Sequence, residues 1–343
     1  MDVSPLNYKL TFEPDLKKFT FAGLESISIN CKKSVNAITM NCAELKIKSC
    51  IVKSGKKIIK SYPKTNEKKE ELQIKLAEKI RGLCTVDLEF EGILNDRLLG
   101  FYRSRYEQNG KTKYLATTQF EAADARRAFP CWDEPEAKAT FEISIIADNQ
   151  FTAISNMPVK TKKKTGKTTL YNFQKTPLVS TYLIYLGVGE FEYLSGKAGK
   201  IQIRVVTTKG NTSKGKFSLE LGKKLLTSYE KYFGIKFPLP KLDLIAVPDF
   251  AAGAMENWGA ITFRETILLY DPKTSSTRTK QFIAEVISHE IAHMWFGNLV
   301  TMKWWNDLWL NESFATFMAT KFVDKFYPEW DLWNQFVEDA MNV

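Results

Sequence analysis

Histidine is scarce in this sequence, with two residues in 343. No apolar run reaches the roughly 20 residues that a membrane-spanning helix needs. The N-terminus, "MDVSPLNYKLTFEP", lacks the basic segment and apolar core of a secretion signal, so a cytoplasmic location is expected. The five cysteines (Cys31, Cys42, Cys50, Cys84 and Cys131) are odd in number and include no CxxC pair. They read as reduced, small apolar residues rather than a disulfide framework. No internal repeat is apparent.

The formal net charge is +10, and the excess is mostly lysine. Two clusters carry much of it, "KSGKKIIKSYPKTNEKKE" (53–70) and "KTKKKTGK" (160–167). No aromatic or glycine-rich recognition motif accompanies them. They read as solvated hairpin tips, not as a nucleic-acid surface. The balance of 44% hydrophobic and 26% charged residues is that of a soluble globular protein, long enough for two or three domains.

Up to about residue 194 the chain reads as strands. "NYKLTFEP", "GLESISINC", "LCTVDLEFEG", "KATFEISIIAD" and "STYLIYLGVGEFEYL" alternate apolar with polar residues and are rich in β-branched and aromatic types. This predicts an antiparallel β-domain such as a sandwich over 1–194, with "SGKAGK" at the boundary to a second domain over 195–343. In the second part, 201–208 and 242–250 read as strands and 216–234 as a helix. Thr279 to Phe296 forms a second helix, stopped by Gly297, and 307–327 a third. Trp295, Trp304, Trp305 and Trp309 are read as core packing.

Both histidines lie in one pentapeptide, His289-Glu290-Ile291-Ala292-His293. On a helix, positions four apart share a face one turn apart, the spacing two imidazoles need to hold one ion. A chance match on a buried helix is the alternative. Against it, Ile and Val surround the pair, and unpartnered imidazoles are costly there. A third ligand candidate, Glu312, lies on the next helix. Two His and one Glu leave a fourth tetrahedral position for water, the arrangement of catalytic rather than structural zinc. This N₂O set suits zinc better than calcium or magnesium. The ion would bring its water to a pKa of about 7, with Glu290 as general base for amide hydrolysis.

At this point three stretches resemble one family. His289-Glu290-x-x-His293, eighteen residues and then Glu312 resemble the gluzincin zinc signature. "GAMENWGAITFRE" (253–265) resembles the exopeptidase motif of the M1 zinc aminopeptidases. "TTQFEAADARRAFPCWDEPEAKATF" (117–141) resembles a long signature of that family's N-terminal domain. The resemblance implies a saddle-like β N-terminal domain, then a partial thermolysin-like α+β zinc-peptidase domain. It implies removal of single amino acids from peptides with a free N-terminus. By position, Gly253, Ala254, Met255, Glu256 and Asn257 would bind substrate, Gly253 and Ala254 along a strand edge and Glu256 at the α-ammonium. Gln119 and Glu121 would help from the N-terminal domain. A bare reading of the residues leaves Gln119 and Glu121 open as ordinary strand residues and Glu256 as a turn acid. Arg126, Arg127, Asp133 and Glu134 read as structural ion pairs.

The family's oxyanion-stabilising tyrosine would fall beyond Val343, and neither Tyr270 nor Tyr327 matches its position. The segment from Glu329 onward places Leu332, Trp333, Phe336, Val337 and Met341 on one apolar stripe. The expectation is that the remaining catalytic and helical parts come from a second polypeptide or from an omitted part of the same one, and that this chain alone turns over poorly. Two other functions stay open. One is a bifunctional epoxide-hydrolase-type relative, and the other a non-catalytic peptide-binding or assembly subunit, which would have no use for Glu290 as a base.

Overall fold

The computed structural model describes the backbone of residues 1–341 and the side chains of 1–338. The chain divides into two compact units, Met1–Glu190 and Phe191–Val343.

The first unit contains thirteen strands: β1 (Val3–Asp15), β2 (Thr20–Asn41), β3 (Lys46–Ser54), β4 (Lys57–Ile59), β5 (Ser61–Asn66), β6 (Glu71–Ile93), β7 (Gly100–Gln108), β8 (Lys111–Gln119), β9 (Thr140–Asp148), β10 (Thr152–Ser155), β11 (Val159–Thr165), β12 (Thr168–Phe173) and β13 (Leu186–Gly189). A large sheet runs β11-β12-β9-β1-β2-β6-β3-β4, with β5 also on β6, and a smaller one runs β10-β13-β8-β7. Alternation sets which face is buried: along β9 every second residue, from Phe141 to Ala147, is in the core. The sheets meet through aromatic rings. Phe101 of β7 lies 5.2 Å from Phe21 and 5.9 Å from Phe12, and within the large sheet Tyr8 of β1 stacks on Phe141 of β9 at 4.8 Å.

Three expectations change here. The unit is not purely antiparallel, because β1 and β9 pair in parallel from Asn7↔Thr140 to Phe12↔Ile145. The lysine-rich clusters are not only hairpin tips. They form β4, β5 and β11, and every residue of β11 is exposed at the sheet edge. Charge on an edge strand opposes pairing with another chain, which accounts for lysine there without an anionic ligand. "STYLIYLGVGEFEYL" is not one strand but β13 and, from Phe191, the next unit's first strand. All five cysteines are free, and burial raises the thiol pKa values of Cys31, Cys42, Cys50 and Cys131.

Arg126 and Arg127 are held in ion pairs. Arg126 bonds Asp133 and Glu70, each at 3.1 Å, and Arg127 bonds Glu44 at 2.6 Å, Asp124 at 2.7 Å and Glu70 at 2.8 Å.

The second unit begins with β14 (Phe191–Ala198) and β15 (Ile201–Thr208), an antiparallel pair, so "SGKAGK" is a hairpin and the division falls at Glu190/Phe191 rather than after 194. Then come α1 (Lys216–Phe233), β16 (Lys241–Val247), β17 (Ala254–Met255), β18 (Ala260–Arg264), α2 (Thr277–Ala292), α3 (Leu308–Phe326) and α4 (Leu332–Met341). The sheet order is β14-β15-β16-β18-β17, with β15, β16 and β18 parallel. β16 is buried at every position, as expected of a central parallel strand. Ser276 caps α2 by accepting a hydrogen bond from the Thr279 N–H at 3.1 Å.

Of the four tryptophans read as core, only Trp295 is (2% exposed), with its indole donating to Ile235 O at 3.0 Å. Trp304 and Trp309 are exposed, and Trp309 lines an open apolar groove of about 540 Å³ with Phe296, Met302 and Phe314. On α4, Leu332 is buried while Trp333, Phe336 and Val337 are exposed, and the Met341 side chain lies outside the described residues.

Lys241 and Asp243 of β16 are buried charges. The Lys241 ammonium donates to Asp243 at 2.7 Å and to Gly259 O at 2.8 Å, while Arg204 of β15 donates to both Asp243 oxygens at 2.6 Å. Burial alone would raise the Asp243 pKa, but Lys241 and Arg204 outweigh it and hold it below the usual range. Its stabilising contribution is therefore complete above the unfolded value of about 3.9 and is lost as pH falls through the lower folded value. Asp243→Ala strands the buried Lys241 and the half-buried Arg204 and should cost about 3–5 kcal/mol in denaturant unfolding of this unit, with a flatter loss of stability below about pH 4. An unchanged unfolding midpoint would show that the triad is not what holds this sheet.

Candidate metal centre and chain-end site

The metal-ligand candidates converge. His289 lies in the last turn of α2, His293 caps its end, and Glu312 lies in the second turn of α3. His293 Nε2 is 2.9 Å from His289 Nε2 and 3.6 Å from Glu312 Oε1, and His289 Nε2 is 3.2 Å from Glu312 Oε2. Ligand atoms about 2.0–2.1 Å from one tetrahedral zinc would stand roughly 3.3 Å apart, so the observed spacings fit one small cation.

The outer sides of the rings are held as a metal ligand requires. His293 Nδ1 lies 3.0 Å from Phe296 O, and since a carbonyl only accepts, Nδ1 carries the proton and Nε2 faces the cluster. His289 Nδ1 lies 3.3 Å from Thr316 Oγ1, one turn beyond Glu312 on α3. Tyr229 of α1 binds the helices together, its hydroxyl lying 3.0 Å from Ser288 O of α2 and 3.2 Å from Met318 O of α3.

Electrostatics shows what the pocket wants. Burial pulls the His293 pKa down, but the carboxylates of Glu256, Glu312 and Glu290 raise it to about 10. Burial keeps His289 below its ordinary value. Burial would raise Glu312, but the two imidazoles hold it well below the usual carboxylate range. The carboxylates around the paired imidazoles thus favour positive charge in this pocket. Glu290 is 6% exposed and close enough to act on His293.

Of the sequence-predicted chain-end residues, Glu256 lies beside this cluster within the second unit. β17 (Ala254–Met255) is the edge strand of the sheet, paired on one side to β18. Ala254 and Gly253 are half-buried, and Met255, Glu256 and Asn257 are buried. Gly253 O accepts from the Arg264 N–H at 2.9 Å. Asn257 Nδ2 donates to Thr262 Oγ1 at 3.1 Å. Carboxylate oxygens of Glu256 and Glu312 lie within 4.8 Å of each other. Burial raises the Glu256 pKa, and its Oε1 is buried with no hydrogen-bond partner, an acceptor that lacks a cation. Gln119 ends β8 and Glu121 follows two residues later in the first unit, both half-buried, with Gln119 Oε1 buried and unpartnered. Tyr270 and Tyr327 ring the Lys280 ammonium at 5.6 and 5.9 Å.

Comparison with known proteins gives the family. Residues 4–183 match the profile of the Peptidase M1 N-terminal domain, and residues 217–343 that of the Peptidase family M1 domain. The chain belongs to peptidase family M1. Over 343 residues it is 44% identical to Aminopeptidase M1 of Arabidopsis thaliana, covering 98% of this chain and 39% of that protein. Aminopeptidase 2, mitochondrial, of Saccharomyces cerevisiae is also 44% identical, with 99% of this chain and 36% of the relative covered. The same identity holds for the Puromycin-sensitive aminopeptidase of Caenorhabditis elegans, at 98% and 36%. This M1 chain therefore spans well under half the length of these relatives.

Sequence reasoning missed the segment that supports the M1 centre. It extends α2 to Phe296, whereas the helix stops at Ala292 and residues 293–298 wrap beneath His293. Gly297, read only as a helix stop, has φ +131°, and a Cβ there would lie 3.1 Å from His293 Nδ1. Adjacent Gly297 and Asn298, directly after the histidine pair, were the available signal. Gly297→Ala should strain the turn, displace the imidazole and weaken metal binding at the candidate centre by about 10–100-fold. Metal titration by calorimetry checks this, and unchanged affinity would mean that the turn does not orient His293.

Proposed function

We propose that this chain carries the metal centre and chain-end recognition residues of a zinc-dependent aminopeptidase. The observation that carries the reading is the convergence of His289, His293 and Glu312 with the Glu256 carboxylate beside them. The three donors would hold one zinc ion. When bound, zinc supplies a Lewis acid that polarises a carbonyl and brings a water towards a pKa of about 7. The residues divide the remaining work. Glu290, buried next to His293, takes the proton of the attacking water and passes it to the leaving amine. Glu256 binds the substrate α-ammonium, a cation below a pKa of about 8, and so fixes cleavage one residue from the chain end. The β17 edge, at Gly253 and Ala254, pairs with the extended substrate backbone, and Met255 and Asn257 hold that strand in place. Family resemblance alone assigns Gln119 and Glu121 to the same ammonium.

On the same resemblance we assign the saddle form to the first unit and the beginning of a thermolysin-like domain to the second. The five-stranded sheet and the two helices bearing the ligands support the latter. Turnover is proposed to need the further polypeptide that the relatives possess, joined or separate, including an oxyanion donor worth about 10²–10³ in rate. The five free cysteines support a cytoplasmic location, and among the described residues no helix is long and apolar enough to cross a membrane.

Glu290→Gln in the complete enzyme should retain about one zinc while hydrolysis of an aminoacyl anilide falls about 10²–10⁴-fold. Unchanged turnover at full zinc occupancy would place the chemistry elsewhere.

A further inference from the structure

The buried residue Asn298 connects the two halves of the site. It is 0% exposed, and its Nδ2 donates to Glu256 O at 2.8 Å. Its own N–H donates to His293 O at 3.0 Å. The same short segment supplies Phe296 O to His293 Nδ1. One loop therefore holds a metal-ligand ring from outside and grips the peptide that bears the chain-end acid.

That grip matters because of how Glu256 is held. Its Oε1 has no hydrogen-bond partner, and a hydrogen bond to its own backbone ties the carboxylate to the main chain that carries it. On one side that main chain is anchored within its own sheet, by the Met255↔Thr262 pairing and the Asn257–Thr262 bond. On the other side the Asn298 amide anchors it to the segment following α2. A carboxylate that measures the distance from chain end to scissile bond works only if it is fixed relative to the metal ligands, and errors of about 1 Å are costly there.

We infer that Asn298 is a positioning residue that sets the Glu256 carboxylate against the metal centre and so creates the selectivity for a free α-ammonium. This rests on the aminopeptidase reading above. The inference assigns Asn298 no contact with substrate and no part in proton transfer.

The test uses the complete, zinc-loaded enzyme and its Asn298→Ala and Asn298→Ser variants. Calorimetry measures the affinity for alanine hydroxamate, for its N-acetyl form and, on the metal-free proteins, for zinc. The expected result is at least a 10-fold weakening for alanine hydroxamate, with the N-acetyl form and zinc within about threefold of the parent. In turnover of an alanyl anilide, KM should rise more than kcat falls. Loss of all three affinities together, in whichever variant folds, would make Asn298 a merely structural residue and overturn the proposal. So would a parent-like preference for the free amine in both variants. If the parent itself does not prefer alanine hydroxamate to its acetylated form, the aminopeptidase reading falls, and this role with it.

Discussion

Four electron-rich atoms, two imidazole nitrogens and the two Glu312 oxygens, are brought together at spacings of 2.9 to 3.6 Å, and such a cluster favours a positive charge at its centre. Much of the second unit serves that placement. α2 ends at Ala292 so that His293 can turn its Nδ1 to Phe296 O, and Gly297 leaves room for the ring. Tyr229 spans the two ligand-bearing helices through backbone carbonyls, which fixes their separation without relying on side-chain packing alone.

A second buried electrostatic unit braces the turn that follows Glu256. Lys241 donates both to Asp243 and to Gly259 O, in the turn that follows Glu256 and Asn257. Burial brings the Lys241 pKa down to about 8, with Asp243 opposing that fall. In this basic chain the carboxylates of Glu256, Glu290 and Glu312 gather around His293, while the lysines of β11 lie along an exposed sheet edge.

The convergence of the candidate metal ligands is more legible in the sequence than the architecture around them. Spacing of four puts His289 and His293 on one helical face whatever surrounds them, and Glu312 follows on the next helix. The alternation in β9 and the continuous burial of β16 are also local signals. Other features depend on contacts that no local pattern carries. The parallel pairing of β1 with β9 joins residues more than a hundred positions apart. β11 reads as loop because every side chain on it is solvated, and only its ladder to β12 makes it a strand. Trp304 and Trp309 are apolar by type but lie on the surface of this unit. The end of α2 was misplaced because apolar Met294, Trp295 and Phe296 continue the helical pattern, while the turn is fixed by the His293 ring and the left-handed Gly297.

The central claim is that one zinc ion sits among His289, His293 and Glu312. Zinc-edge X-ray absorption on the metal-loaded protein tests it most directly. The account expects about two imidazole nitrogens with the remaining ligands oxygen at about 2.0–2.2 Å, and loss of that signal in His293→Ala. A sulfur shell at about 2.3 Å, or the same spectrum in His293→Ala, would contradict it.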